Sequence, residues 1–495
     1  MLYRSTRGQI TDSTAAAAIA AGLASDGGLF VPDAFPPLPA DAVETLSPMR
    51  YDGRAAYVMA PFLGGFDAGE LAAFTRAAYC PGGFDGDGAA PVRRLADGDF
   101  FLELWHGPTC AFKDMALQIM PRFLTSAMEK TGDTRDVCVL VATSGDTGKA
   151  ALEGFRDVPR TRIMVFYPRD GVSAVQRLQM TAQEGGNVNV AAVEGNFDDA
   201  QTGVKRIFAD AGFRERLASR GVFLSSANSI NWGRLLPQIV YYVSAYCDLV
   251  SGGHIRRGEY VNFCVPTGNF GNILAGYYAK KMGLPIGKLI CASNRNDVLT
   301  QFINTGVYDR NREFFPTISP SMDILVSSNL ERLLYELSGC DGRAVSGYMD
   351  ALARDGVYAV GERARELVAD GFACGSCGDG DARRVIADTF ERYGYLLDPH
   401  TAVAYGVLTR YRERTGDTAP TVVVSTASPY KFCGSVLEAL GHTVSADGPE
   451  LIDALAEATG IPAPAPIAAL KGASERFSRS VPRGDMLRAV EEFCG

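Results

Sequence analysis

Apolar residues along this chain fall into two kinds of run. Short continuous blocks suit buried strands, and longer stretches with apolar residues every three or four positions suit one face of a helix. The two kinds alternate most regularly between 137 and 211. A strand over 137–142 leads through a glycine loop to a helix over 149–155, then come a strand over 162–167, a helix over 173–184, a strand over 188–193 and a helix over 198–211. That alternation predicts a small α/β domain with a parallel sheet over 136–221.

The same pattern brackets this block. A strand over 100–104 precedes a turn at Gly107-Pro108 and a helix running on from Met115 through Leu117, Ile119, Met120, Phe123 and Leu124. Strands over 260–265 and 421–426, with helices over 273–282 and from Asp398, complete a large α/β domain over 96–135 and 222–435. Residues 1–95 read as an N-terminal element with helices over 11–23 and 71–78 between Gly- and Pro-rich segments. Residues 295–392 read as an insertion or peripheral layer with helices over 329–337, 346–353 and 360–369, and 436–495 as a helical tail.

Composition narrows the function classes. A net charge of -9 argues against a nucleic-acid or anionic-membrane surface and favours small-molecule chemistry. The apolar run at 15–21 lacks a cleavable-signal pattern, no run is long enough to span a bilayer, and the 11 cysteines are scattered among apolar neighbours, so a soluble cytoplasmic protein is expected. Cys374 and Cys377 form a C-x-x-C with no second pair to complete a zinc site; it reads as a glycine-rich flexible loop, with metal or redox use as the alternative.

Candidate chemistry centres on Lys113, set between a Gly-Pro turn and an apolar helix and flanked by Phe112. Burial there disfavours the charged form and leaves a nucleophilic or basic amine. The bland alternative is a helix-start pair with Asp114 or Glu103. Two Gly-rich strand-to-helix loops, 143–148 and 266–272, aim backbone N–H groups at one point as anion cradles. Neither is a nucleotide motif: Thr143 stands where a P-loop needs Gly, and the G-x-G-x-x-G spacing fails in the second loop. Arg234 reads as a surface arginine behind a helix cap or as a phosphate or carboxylate clamp, and His400 as a capping or a catalytic residue. A buried lysine, two anion loops and a strand-end hydroxyl together suit pyridoxal phosphate chemistry.

The motifs HGPTCAFKD, ATSGDTGKA, NSINWGR, VPTGNFGN, DPHTAVAYG and STASPYKF, in that order, resemble those of threonine synthases of the longer bacterial and fungal form. The one departure in the lysine motif is Cys110, where the family more often has Leu. The resemblance runs from Asp26 to Phe432 and implies the type II pyridoxal-phosphate enzyme fold, an α/β architecture with the active site between two parallel-sheet domains. It further implies conversion of O-phospho-L-homoserine and water to L-threonine and phosphate, with no metal. By this resemblance Lys113 is the Schiff-base lysine, Gly268, Asn269, Phe270, Gly271 and Asn272 cradle the cofactor phosphate, and Thr426 faces the ring nitrogen. Ser144, Gly145, Asp146 and Thr147 lie at the substrate carboxylate and cofactor ring, and Asn228, Ser229 and Arg234 surround the substrate phosphate. The rivals are a phospho-lyase on the same substrate that gives 2-oxobutyrate, and a protein that keeps the fold without turnover.

Overall fold

Two sheets organise the chain, and the order of their strands sets where the loops converge. The computed structural model describes residues 1–495 except 81, 86, 87, 97, 170, 446 and 447 and the side chain of 198. In the larger sheet the six strands run Phe372–Ser376, Ile286–Ser293, Val261–Pro266, Thr421–Ser425, Asp99–Glu103 and Val92–Ala96, parallel except at the last, antiparallel edge. In the smaller sheet the five strands Ser480–Pro482, Val188–Glu194, Thr161–Pro168, Asp136–Ala142 and Val222–Ser226 are all parallel.

Continuous apolar strands belong in sheets covered on both faces. In Asp136–Ala142, Val139 and Val141 enter a core with Ala151 and Phe155, while Leu140 and Ala142 enter another with Val204, Ile207 and Leu217. Alternate side chains of one strand thus feed two cores. The larger sheet does the same. Phe263 and Leu289 pack with Trp232, Tyr242 and the N-terminal residues, whereas Cys264 and Ile290 pack against Val403 and Val407 of the helix Pro399–Thr415.

The N-terminal residues form a small antiparallel pair, Tyr3–Ser5 with Phe30–Pro32, and the helices Ala15–Ala21, Ala42–Leu46, Tyr51–Met59 and Ala68–Ala78. The expected peripheral character of 295–392 needs correction, because Phe372–Ser376 is an edge strand of the larger sheet. Cys374 lies in that strand rather than in a flexible loop, buried and paired with Cys291, and Cys377 is buried on the other side of the sheet. Among the described residues no cluster could hold a metal ion. The tail also departs from an all-helical reading: it returns to the smaller sheet as the strand Ser480–Pro482 and covers one face with the helix Met486–Cys494. Among the described residues no helix is long and apolar enough to cross a membrane.

Candidate active site

Lys113 is held by a turn that its own neighbours tie. The backbone N–H and hydroxyl of Thr109 donate to the Asp114 carboxylate at 2.9 and 2.7 Å, and the N–H of Phe112 donates to the Thr426 carbonyl at 2.8 Å. Asp114 is thereby engaged, and Glu103 accepts instead from Tyr395 at 2.8 Å and lies 2.8 Å from His106 Nε2. The expected helix is two: Asp114–Leu117 ends before Met120–Lys130, where Pro121 in the first turn lacks the N–H that continuation requires.

Lys113 is only 8% exposed, with Nζ 3.3 Å from Asp146 Oδ2, 3.3 Å from Ser321 Oγ and 4.8 Å from the centre of the Phe112 ring. Its pKa lies below that of a free lysine. Burial is the main cause, Asp146 opposes it, and the cations Arg234 and Lys431 add to it.

The first anion loop starts the helix Asp146–Phe155. Thr143 Oγ1 accepts the N–H groups of Gly145 and Gly148 at 3.0 and 2.9 Å, which folds the loop back on its strand. Gly145 has φ +132°, a region that L side chains rarely adopt, and a Cβ there would lie 2.5 Å from Gln176. Asp146 is buried, which pushes its carboxyl up, but Lys113 and Lys431, with His400 and Gln176, hold it far below the ordinary carboxylate range.

The second loop joins Val261–Pro266 to the helix Gly271–Lys281, turning at Phe270, whose φ is +61°. The Asn269 carbonyl accepts both the backbone N–H and the side-chain amide of Asn329, at 3.1 and 3.0 Å. Tyr241 and Tyr242 donate to Asn272 Oδ1 at 2.6 and 2.8 Å, and the buried Asn272 Nδ2 is a donor with no hydrogen-bond partner among the described residues. First-turn N–H groups of a helix also lack intrahelical acceptors. With Lys113 across the cavity, this donor set fits pyridoxal phosphate: an amine for its aldehyde and N–H groups for its phosphate.

Arg234 lies at the third corner. Asn231 caps the short helix Trp232–Leu235 by accepting the Gly233 N–H at 2.9 Å, and Arg234 Nη1 donates to the Ala227 carbonyl at 2.5 Å. The guanidinium is buried, which lowers its pKa to about 10, and among the described residues it has no carboxylate partner. A buried cation without an internal anion suits an anionic ligand.

These parts face one cavity of about 270 Å³ that Lys113, Ser144, Asp146, Thr147, Asn228, Ser229, Arg234, residues 268–272 and Thr426 all line. Gly145 does not line it; the glycine shapes the turn behind it, under Gln176. The cavity also holds Ser321 and His400. Ser321 sits on the 3-10 turn Pro320–Met322, within the segment read from sequence as an insertion or peripheral layer. That turn rests on Asp323, which accepts from Asn294, Asn296 and Thr317 at 2.7, 3.0 and 2.7 Å. His400, beside the DPHTA helix start, was visible as a candidate; Ser321 had no local signal.

Comparison with known proteins agrees with this geometry. The family model for pyridoxal-phosphate dependent enzymes matches residues 86–427, that for the threonine synthase N terminus matches 2–79, and that for the threonine synthase C-terminal region matches 401–493. The chain is 43% identical over 444 residues to threonine synthase of Pseudomonas aeruginosa, which covers 89% of this chain and 90% of that one. It is 44% identical over 433 residues to human threonine synthase-like 1, and there the match covers 86% of this chain but 57% of the relative's length. The crystal structure of pyridoxal-phosphate-bound threonine synthase from Brucella melitensis superposes with a TM-score of 0.87 at 38% identity, covering 99% of this chain and 98% of that one. The yeast threonine synthase structure gives 0.88 at 32% identity, with coverage of 99% and 98%.

Proposed function

The chain belongs to the threonine synthase family of pyridoxal-phosphate-dependent enzymes, and on that premise we propose that it converts O-phospho-L-homoserine and water to L-threonine and phosphate, the last step of threonine biosynthesis, in the cytoplasm. The observation that carries the reading is the pairing of two groups in one cavity: a buried lysine amine and a buried arginine with no carboxylate partner among the described residues. A substrate that bears both a reactive Cα and a phosphate needs both.

Each residue then has a task. The second loop, with the free Asn272 Nδ2, holds the cofactor phosphate, and Thr426 presents a neutral hydroxyl to the ring nitrogen. The chemistry that pyridoxal phosphate supplies when bound is delocalisation of the electron pair left at Cα. Lys113 takes the Cα proton, a task that its depressed pKa suits by populating the free amine nearer neutral pH. Ser144 and Thr147 orient the substrate carboxylate, while Arg234, Asn228 and Ser229 bind the phosphate and stabilise its departure from Cγ. A second proton leaves Cβ as the Cγ–O bond to phosphate breaks, Cγ takes up a proton to become the methyl group, and addition of water at Cβ with return of a proton to Cα completes the exchange. Nine of the 11 cysteines are buried, and none forms a disulfide among the described residues, which suits a reducing cytoplasm.

Product analysis tests the assignment. Purified protein, pyridoxal phosphate and O-phospho-L-homoserine should yield threonine and phosphate in equal amounts. Phosphate with 2-oxobutyrate identifies a phospho-lyase instead, and no phosphate release overturns the substrate.

A further inference from the structure

Asp146 stands between two lysines. Its Oδ2 is 3.3 Å from Lys113 Nζ, and its Oδ1 is 3.3 Å from Lys431 Nζ. The two amines are differently housed. Lys431 is 0% exposed, and besides Asp146 its Nζ donates to the Thr109 carbonyl at 2.8 Å and to Gln179 Oε1 at 2.6 Å. Two hydrogen bonds and the ion pair with Asp146 thus hold that amine as an ammonium group. Among the described residues Lys113 Nζ has two hydrogen-bond partners, both at 3.3 Å, and one of them is the Ser321 hydroxyl, which also donates to Asp146 at 3.4 Å. Such a site serves a neutral amine as well as a charged one.

A buried carboxylate needs a counter-ion. Were Lys113 the sole cation beside Asp146, loss of its proton would strand that charge. With Lys431 fixed on the opposite oxygen, it does not. We propose that Lys431 is a positioning residue for the reaction: it is the standing counter-ion of Asp146, and it thereby releases Lys113 to work as a free amine.

The location supports a second effect of the same contact. Thr109 belongs to the turn that presents Lys113, Gln179 to the small-domain helix Ala174–Thr181, and Asp146 to the small-domain loop. One ammonium group therefore ties the lysine turn to the small domain. The other ionisable groups around the trio are accounted for. Arg234 faces Lys113, and His400 faces Asp146. Asp114, bonded to Thr109, faces Lys431, as does Lys149, itself paired with Glu153. Cys110 also faces Lys431, as a thiol that burial pushes up to about 12.

The inference deepens the proposed function, yet its test needs neither cofactor nor substrate, so an error in the substrate leaves the result untouched. The cofactor-free full chain is labelled with trace acetic anhydride across a pH series, and acetylation of Lys113 is read by peptide mass spectrometry. In Lys431→Met the half-labelling pH of Lys113 should rise by about one unit or more, because Asp146 then relies on Lys113 and a neighbouring positive charge is gone. Lys431→Arg should restore the wild-type midpoint. If the methionine variant does not fold by circular dichroism, Lys431→Gln, which keeps a donor toward Thr109, should give the same rise. A folded neutral variant with an unchanged Lys113 midpoint overturns the proposal.

Discussion

The Nε2 of His400 accepts the backbone N–H of Ser321 at 3.1 Å, and Nδ1 of the same ring lies 2.8 Å from Asp398 Oδ1. An Nε2 that accepts from an amide carries no proton, so the ring's proton sits on Nδ1 and points at the carboxylate. His400 thus acts as a strut. It holds the turn whose serine touches Lys113, from a helix that Asp398 also caps through the N–H of His400 at 2.9 Å.

Removal of that strut should misplace Ser321 without unfolding the protein. His400→Ala is expected to lower kcat by up to about 10²-fold, the scale of a loss of about 1 Å in positioning, with a smaller effect on KM. Steady-state kinetics beside circular dichroism checks this, and a wild-type kcat in a folded variant removes the role.

Arg234 makes a different prediction, because the role proposed for it is to bind the substrate phosphate rather than to place a base. Arg234→Ala should lower kcat/KM by roughly 10- to 100-fold, the range for loss of a charged hydrogen bond. The absorbance of bound cofactor should be unaffected. Equal loss of cofactor binding would place Arg234 in the cofactor subsite instead.

Gly268 has no room for a side chain, since a Cβ there would lie 2.7 Å from the Ser321 carbonyl oxygen. Gly268→Ala forces apart the loop assigned to the cofactor phosphate and the turn that supports Lys113. Pyridoxal phosphate affinity, followed by absorbance titration, should fall by about tenfold or more, a loss on the scale of one hydrogen bond to a charged group. Unchanged affinity would mean that this loop does not hold the phosphate.

Asp114 gives a pH signature. Burial raises its pKa to about 6, although its bonds from Thr109 and the charge of Lys431 oppose the shift. The folded state therefore holds a proton that the unfolded state releases near pH 4. Its contribution is most favourable below that pH and is lost as pH rises to about 6. Asp114→Asn keeps an acceptor for the Thr109 N–H, and its stability relative to wild type should rise by roughly 2 kcal/mol between pH 4 and 7. Urea denaturation at each pH checks the slope; parallel curves for the two proteins contradict it.

The sequence made visible what is local. Lys113, the two strand-to-helix loops and the Arg234 helix start are contiguous motifs, and the cavity brings all of them together. Ser321 escaped because its partner Lys113 is 208 residues away, and its own segment has no regular period to mark it. The strand Ser480–Pro482 escaped for a related reason: three residues flanked by polar loops carry no alternation, and their order comes from the edge of Val188–Glu194. Gly145 was expected at the ligand because it lies inside a motif whose neighbours Ser144, Asp146 and Thr147 line the cavity. Its φ shows that it serves the turn.

Borohydride reduction of the protein with bound pyridoxal phosphate, followed by peptide mapping, tests the central claim most directly. The account predicts one pyridoxyl group, on Lys113, and none in Lys113→Ala. A pyridoxyl group on Lys149 or Lys431, or no stable label at all, would contradict it.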